Sequence, residues 1–370
     1  MRPLRILHAA SFGYRAKGVF LHGVATKLSN GWTRNGHYVV NFSARDIARW
    51  QGFGNRWLGS RLVRKTFLEA CESFSPDVLV IGHADVLDPE TLGAVRARLP
   101  GLKVLQWNVD WLLPPGYQHI EDSGENNARR LLDRAPHVDA TFISTAGPAL
   151  EHFARSVDHP VGFLPNPVDA SVETARVFEQ PSTDFDLLIV SGSKDPRRFV
   201  CGELTDLGKF TTGLQGELPE LRINAAGLNG APPVFGPAYQ RALESAAIGW
   251  NVSRHNDVHL YSSDRLAHMA GNGQAVLIER ATGYGELFGD DEFGFYGSKH
   301  ELAELVGRLS RDDAARRALA RKGRQRYFAL FDTASVTRYM LDVLLGEHDG
   351  RAYAWPTTCT PDAAPLTKVA

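Results

Sequence analysis

Cysteine is scarce: Cys71, Cys201 and Cys359 are the three in 370 residues. They are far apart, odd in number and without metal-ligand spacing, which excludes a disulfide-stapled scaffold and a cysteine zinc site and predicts a reducing, cytoplasmic setting. Long apolar runs are also missing, so nothing approaches the ~20 residues needed to cross a bilayer. The N-terminal MRPLRILHAASFGYR is broken by His8, Ser11 and Gly13 and reads as a first strand, not a signal peptide. Neither charge sign prevails. With 41 Lys+Arg against 42 Asp+Glu, the net charge of −1 gives no global field to recruit nucleic acid, so any anion must be held by a local site. Peripheral contact with the inner membrane is left open and would need a local patch. No solenoid period or low-complexity tract is present.

What the chain has is ordinary globular composition, 43% hydrophobic and 22% charged, and enough length for two domains. Short apolar runs alternate with amphipathic stretches from the start: RILHAAS, a helix with Phe20, Val24, Leu28 and Trp32 four apart, then HYVVNFS. The same βαβ rhythm continues through DVLVIGHA, KVLQWNV and DATFIS, with helices between them, which predicts one doubly wound unit over 1–164. Pro165, Pro167 and Pro181 mark 165–183 as a connector. The rhythm restarts at DLLIVSG, and 184–330 reads as a second unit in which 196–213 looks helical. Over 331–349, Val336, Tyr339, Met340, Val343 and Leu344 give a helix one apolar stripe that needs a partner, the first domain being one candidate; 350–370 reads as irregular. The fold class is α/β, with strand C-termini of two Rossmann-like domains directed toward a common cleft.

Residues 251–287 concentrate polar chemistry. Ser262 and Ser263 can cap a short helix DRLAHMA, with Arg265 in its first turn, an arrangement that suits a diphosphate. A capped helix with a solvated arginine is the plain alternative. Gly271 and Gly273 end that helix, and Gln274 to Ile278 reads as the next strand.

Several strings, in order over about 300 residues, resemble the group 1 glycosyltransferases of the GT-B fold and their spore-maturation-protein-like branch. They are AKGVFLHGVATKLSNGWTRNGHYVV with its Gly36-His37 pair, PNPVD at Pro165 to Asp169, FDLLIVSGSKDPRR, and YSSDRLAHMAGNGQAVLIERATGYGELF. The resemblance implies GT-B architecture. It implies transfer of a sugar from a nucleotide-sugar donor, held by the second domain, to a glycan or other glycoconjugate acceptor at the first, as in polysaccharide biosynthesis. It implies no cofactor and no required metal. Asp290-Asp291 reads as solvated rather than as a metal pair. Where retaining members carry two glutamates eight apart, this chain has Leu260 and His268, so retention does not follow.

In such a reaction the largest protein contribution is stabilising the leaving diphosphate. The donor candidates are Gly192, Ser193, Lys194, Arg197 and Arg198 after DLLIVSG, then Ser262, Ser263 and Arg265; the two adjacent arginines are equally readable as a solvated helix start. His268 is placed to contact the donor or to pack. Asn251, Ser253 and Arg254 follow IGWNV and can read base, ribose or phosphate, while Glu286 offers two acceptor oxygens to a ribose diol or serves a helix start. An inverting reaction needs a general base. Asp110 in WNVDW is first, His22 near the Gly18 loop second, and His83 with Asp85 in IGHAD third; each is equally a residue that caps a helix. Trp107, Trp111 and Tyr117 stack on a sugar or belong to the core. Two other readings stand beside transfer: a GT-B nucleotide-sugar epimerase, and a sugar-nucleotide-binding protein without turnover.

Overall fold

The computed structural model describes residues 2–14, 22–55, 58–112, 123–193, 195–347, 353–356 and 358–359. The Gly18 loop, Tyr117 and Lys194 lie outside them. Two compact units form. The first comprises Met1–Ala16, Leu28–Pro165 and Thr333–Ala370; the second comprises Lys17–Lys27 and Asn166–Asp332. Thus Lys17–Lys27, inside the span predicted for the first domain, goes with the second unit.

The first unit runs β1 (Arg5–Ala10), α1 (Val24–Arg34), β2 (Tyr38–Ser43), α2 (Ala44–Gln51), α3 (Ser60–Phe74) and β3 (Val78–Ile81). It continues with α4 (Pro89–Arg98), β4 (Lys103–Asn108), α5 (Ser123–Arg134), β5 (Ala140–Ile143), α6 (Gly147–Ala154) and β6 (Val161–Phe163). The first turn of α1, through Lys27, is counted with the second unit. β3, β5 and β6 are short, apolar and buried on both faces, as parallel strands covered by helices must be, whereas the edge strand β2 is partly exposed. The strand order is β6-β5-β4-β3-β1-β2, all parallel.

The second unit holds β7 (Phe185–Val190), β8 (Arg197–Val200), β9 (Glu203–Asp206), α7 (Leu207–Glu217), β10 (Ile223–Ala226), α8 (Pro237–Glu244) and β11 (Ala246–Trp250). After these come α9 (Arg265–Gly271), β12 (Ala275–Glu279), β13 (Gly294–Tyr296), α10 (Lys299–Arg311) and α11 (Asp313–Phe331). The parallel sheet has the order β10-β7-β11-β12-β13. One prediction fails here: 196–213 is not one helix, because β8 and β9 form an antiparallel hairpin before α7 begins. Cys201 and Gly202, both at positive φ, make its turn, a local geometry that helical periodicity does not register.

The apolar stripe of α12 (Thr333–Leu345) packs in the first unit against β4 and β5, with Tyr339 edge-on to Phe142 at 5.6 Å. A short β14 (Thr358–Cys359) pairs antiparallel with β6. On its other side α12 meets α1 at Gly31, where a Cβ would lie 2.4 Å from the Thr333 carbonyl and 2.7 Å from the Thr337 side chain. The obstacle is backbone and does not yield. Gly31→Ala is therefore expected to cost about 1–3 kcal/mol by overpacking. A chemical-denaturation midpoint equal to that of the parent protein would refute this.

Candidate functional site

In the second unit the chain leaves β7 for β10 on one side, whereas β11 pairs on the other. The carboxyl ends of β7 and β11 therefore bound a topological switch point, where open α/β sheets leave a crevice for ligands. Two loops meet there. Arg254, after β11, donates from Nη2 to Ser193 Oγ at 2.7 Å, and Ser193 Oγ also accepts the Asp195 N–H at 3.1 Å. Gly192 lies in the same loop, and a Cβ built on it would meet only a Phe235 ring carbon at 3.7 Å.

The hairpin takes the two adjacent arginines away from the role given them at a helix start. Arg198 is buried and spends its guanidinium on the Asp195 and Arg197 carbonyls and Ser191 Oγ. Arg197 forks onto Asp195 at the surface. Arg254 is the arginine that donates to Ser193 Oγ itself.

Ser262 and Ser263 do not cap α9, whose N-cap position is Asp264, without a side-chain capping bond. Instead they tie loops together. Ser263 donates its N–H to Ser253 Oγ and its hydroxyl to Asn251 Oδ1. Ser262 receives Asn166 Nδ2 on both oxygens and lies 3.0 Å from the Tyr284 hydroxyl. Arg265 donates to the Val252 carbonyl at 2.9 Å, which pins the β11 loop. Glu286 sits in a 3₁₀ turn rather than at an α-helix start, largely exposed, 3.6 Å from His259.

Behind these loops lies a charged cluster that the sequence did not reveal. Glu173, fully buried, places Oε1 2.5 Å from Lys27 Nζ and 2.8 Å from His268 Nδ1, while its Oε2 accepts the Asp169 N–H at 2.7 Å. Lys27, equally buried, also donates to the Pro167 carbonyl and stands 3.7 Å from Asp264. His268 Nε2 is 3.4 Å from Asp264, and the Tyr239 ring meets the imidazole edge-on at 5.5 Å. His22 joins them electrostatically, so this residue belongs beside His268 and not among the first unit's candidates. Gly271 makes room: a Cβ there would come within 2.6 Å of Glu173 Cγ.

These groups set one another's charge. Burial and Lys27 pull the His268 pKa down, but Asp264 and Glu173 outweigh them and raise it. Asp264 is pushed up by its withdrawal from water and brought down further by His268, Lys27 and Arg265, ending well below the usual carboxylate range. Burial lowers Lys27, and Glu173 and Asp264 more than restore it. His22, partly buried and near the positive His268, is lowered. Because the His268 pKa is raised on folding, its contribution to stability is complete below its ordinary 6.5 and is lost as pH rises through the folded value. Asp264 has the opposite sense, present above 3.8 and lost as pH falls. Melting temperatures measured from about pH 5 to about pH 9 should show a His268→Gln variant losing less than the parent protein on the alkaline side. Parallel curves would refute the assignment.

Glu173 and Lys27 gave no sequence signal, because one lies in the proline-marked connector and the other on a helix whose apolar period drew the attention. The connector is in fact firmly held: Asn166 accepts the Tyr327 hydroxyl on its carbonyl, and Val168 N donates to Phe331 O. Glu279 was also missed. It ends β12 almost fully buried, receives the Cys201 N–H at 2.9 Å, and burial raises its pKa to about 7.

In the first unit, the switch point lies between β1 and β3. His83 and Asp85 follow β3, and Asp110 follows β4. His83 Nδ1 is 3.8 Å from Asp110 Oδ2, which also accepts Asn127 Nδ2 at 3.2 Å, and half of the Asp110 side chain is exposed. Withdrawal from water keeps His83 below its ordinary pKa in spite of Asp110. Asp85 is occupied by Arg45 at 2.7 Å. Trp107 and Trp111 are buried; Trp107 donates to His8 Nε2 at 3.1 Å and lies edge-on to His83. Both belong to the core. Asp290 and Asp291 pair at the surface with Arg280 and Lys322. Among the described residues, no three His, Cys, Asp or Glu side chains are grouped as a metal site.

Residues 199–342 match a family model described as glycosyl transferase-like, and no curated protein matches the chain. The N-terminal domain of Candida albicans trehalose-6-phosphate phosphatase is similar in structure at 12% identity and TM-score 0.56, covering 93% of this chain and 97% of that one. The UDP-forming α,α-trehalose-phosphate synthase of Burkholderia xenovorans is similar at 10% identity and TM-score 0.55, covering 93% and 99%. Anabaena HepE, crystallised with UDP and glucose, is similar at 12% identity and TM-score 0.54, covering 93% and 100%. The chain has the GT-B fold, and its second half is similar to a glycosyl transferase-like family.

Proposed function

We propose that the protein transfers a sugar from a nucleotide-activated donor to a glycan or other glycoconjugate acceptor, without a required metal. The observation that carries this reading is the meeting of Arg254 and the Ser193 loop at the β7/β11 switch point. A guanidinium, a hydroxyl and loop N–H groups at strand carboxyl ends suit a diphosphate. As the anomeric carbon–oxygen bond breaks, negative charge grows on the leaving diphosphate, and prepositioned donors stabilise it without reorganising. His268, whose pKa Asp264 and Glu173 raise, lies in the same unit as a second basic group. The match of 199–342 and the solved structures that hold or form UDP support the reading.

In the same reading the first unit serves the acceptor. If transfer inverts, Asp110 takes the proton of the acceptor hydroxyl, since it is accessible and oriented by Asn127 and His83. A nucleotide-sugar-binding protein without turnover is the second reading. It is favoured by buried Leu260 and the Glu173-bound His268 at the positions where the resemblance leads one to expect glutamates.

The test is a melting-temperature series with UDP, GDP, ADP, TDP and CMP, each with and without EDTA, followed by an assay for free nucleotide in acceptor mixtures. Stabilisation by one diphosphate that survives EDTA, with acceptor-dependent nucleotide release, is the expected result. No stabilisation by any of them would remove the donor site. Stabilisation abolished by EDTA would overturn the metal-independent form, and binding without release in any mixture would establish the second reading.

A further inference from the structure

We propose that a recess of the first unit beside Asp110 binds a phosphate group, so that the acceptor is a phosphate ester; the second clause rests on the transfer reading, the first does not. The recess opens at the carboxyl ends of β3 and β4, and Arg45, His83, Trp107, Asn127, Arg130 and Arg134 line it. Gly82 lets the Trp107 ring lie against the end of β3, since a Cβ there would fall 2.2 Å from it. The three α5 residues stand at 127, 130 and 134, a spacing that puts them on one helix face. The space is about 30 Å³. That is room for about two waters, which suits the oxygens of one compact group and not a sugar ring.

The charge balance of the wall makes that group an anion. Arg45 is spent on Asp85 at 2.7 Å and adds nothing. Arg134 differs. It is 6% exposed, and its Nη2 donates to the Ala84 and Leu87 carbonyls at 2.7 and 2.9 Å, with no carboxylate at ion-pair distance among the described residues. The acids that favour its charge from farther off are engaged elsewhere or in water: Asp85 with Arg45, Asp88 with Arg64 at 2.8 Å and with Thr91, and Asp133 exposed. Burial, with Arg130 adding to it, outweighs them and brings the Arg134 pKa down to about 10, the mark of a guanidinium short of counter-charge. Arg130, one turn earlier and exposed, has no carboxylate partner among the described residues. Like charges four apart on one helix face destabilise it, and an anion between them reverses the sign. Arginine forks match phosphate geometry, and three terminal oxygens offer one each to Arg130, Arg134 and His83. Asn127 also donates to Asp110 Oδ2 at 3.2 Å, so an ester held here keeps its hydroxyls beside the carboxylate.

The test is calorimetric titration of the full chain with inorganic phosphate in a buffer free of other oxyanions. Arg130→Ala should bind phosphate about ten- to a hundredfold more weakly, the range of one charge-assisted hydrogen bond, and Arg130→Glu should lose the site. Arg254→Ala, in the second unit, should keep this binding, as should Arg155→Ala, which makes the same change in net charge. Equal melting temperatures of variants and parent separate lost binding from lost folding. Acetate in place of phosphate should bind more weakly. Competition by glucose 6-phosphate and not by glucose would assign the phosphate to a soluble ester, and competition by farnesyl phosphate alone to a lipid-borne one. Four results would overturn the proposal: no phosphate binding, binding lost in Arg254→Ala but kept in Arg130→Glu, acetate as tight as phosphate, or competition by neither ester. The titration needs neither donor nor turnover. Phosphate bound without nucleotide release in any acceptor mixture would therefore sink the transfer reading alone, and release with neutral acceptors, unchanged in Arg130→Glu, would sink the acceptor assignment alone.

Discussion

Glu173→Gln protein is expected to unfold at a much lower denaturant concentration than the parent, by the equivalent of about 3–5 kcal/mol, because the change leaves buried charge uncompensated. The carboxylate stands between two cations, 2.5 Å from Lys27 Nζ and 2.8 Å from His268 Nδ1, and no part of its side chain or of Lys27 reaches water. Glutamine keeps the volume and removes the charge, so the measured loss is electrostatic rather than a cavity. Lys27 would then hold an ammonium out of water with Asp264 at 3.7 Å as its remaining close carboxylate. A double variant, Lys27→Met with Glu173→Gln, should recover much of the loss, since an ion pair exchanged for apolar volume is often neutral. If Glu173→Gln unfolds within about 0.5 kcal/mol of the parent, as a plain surface change does, the cluster does not hold the second unit together.

Arg254→Ala should weaken nucleoside diphosphate binding by roughly ten- to a hundredfold, the range of one charge-assisted hydrogen bond at about 1.5–3 kcal/mol. The control is Arg197→Ala. That arginine is half exposed, is paired with Asp195, and belongs to the hairpin rather than to the Ser193 contact, so its removal should change affinity little. Arg254→Lys should recover part of the loss, since it keeps the charge and gives up the planar fork. Calorimetric titration with the diphosphate that stabilises the parent reads all three. Equal affinity in Arg254→Ala and parent would remove the arginine from the donor site, and equal losses in Arg254→Ala and Arg197→Ala would reduce the effect to net charge.

The two predictions concern groups of very different legibility. Arg254 follows a strand recognisable from IGWNV, and position after a strand in an α/β pattern already points at the ligand-binding end of a sheet. The same reasoning singled out Ser193, Asp110 and His83, which follow β7, β4 and β3. It put Arg197 and Arg198 on a helix, where a hairpin whose turn depends on positive φ at Cys201 and Gly202 stands instead. It also gave Ser262 and Ser263 a capping role; their hydroxyls instead found partners in Asn166, Tyr284 and Asn251, all distant in sequence.

By itself the sequence determined the alternation of buried strands and amphipathic helices, the two-unit α/β plan and the strand ends that carry polar residues. Each of these follows from periodicity and turn chemistry acting over a few residues. The tertiary structure alone decided that Lys27, from the first thirty residues, would meet Glu173 of the connector and His268 of α9 in one buried cluster, and that α12 would lay its stripe on the first sheet and meet α1 at Gly31 through Thr333 and Thr337. Those pairings are chosen by chain topology and by the need of every buried charge for a partner, and neither leaves a local pattern to read.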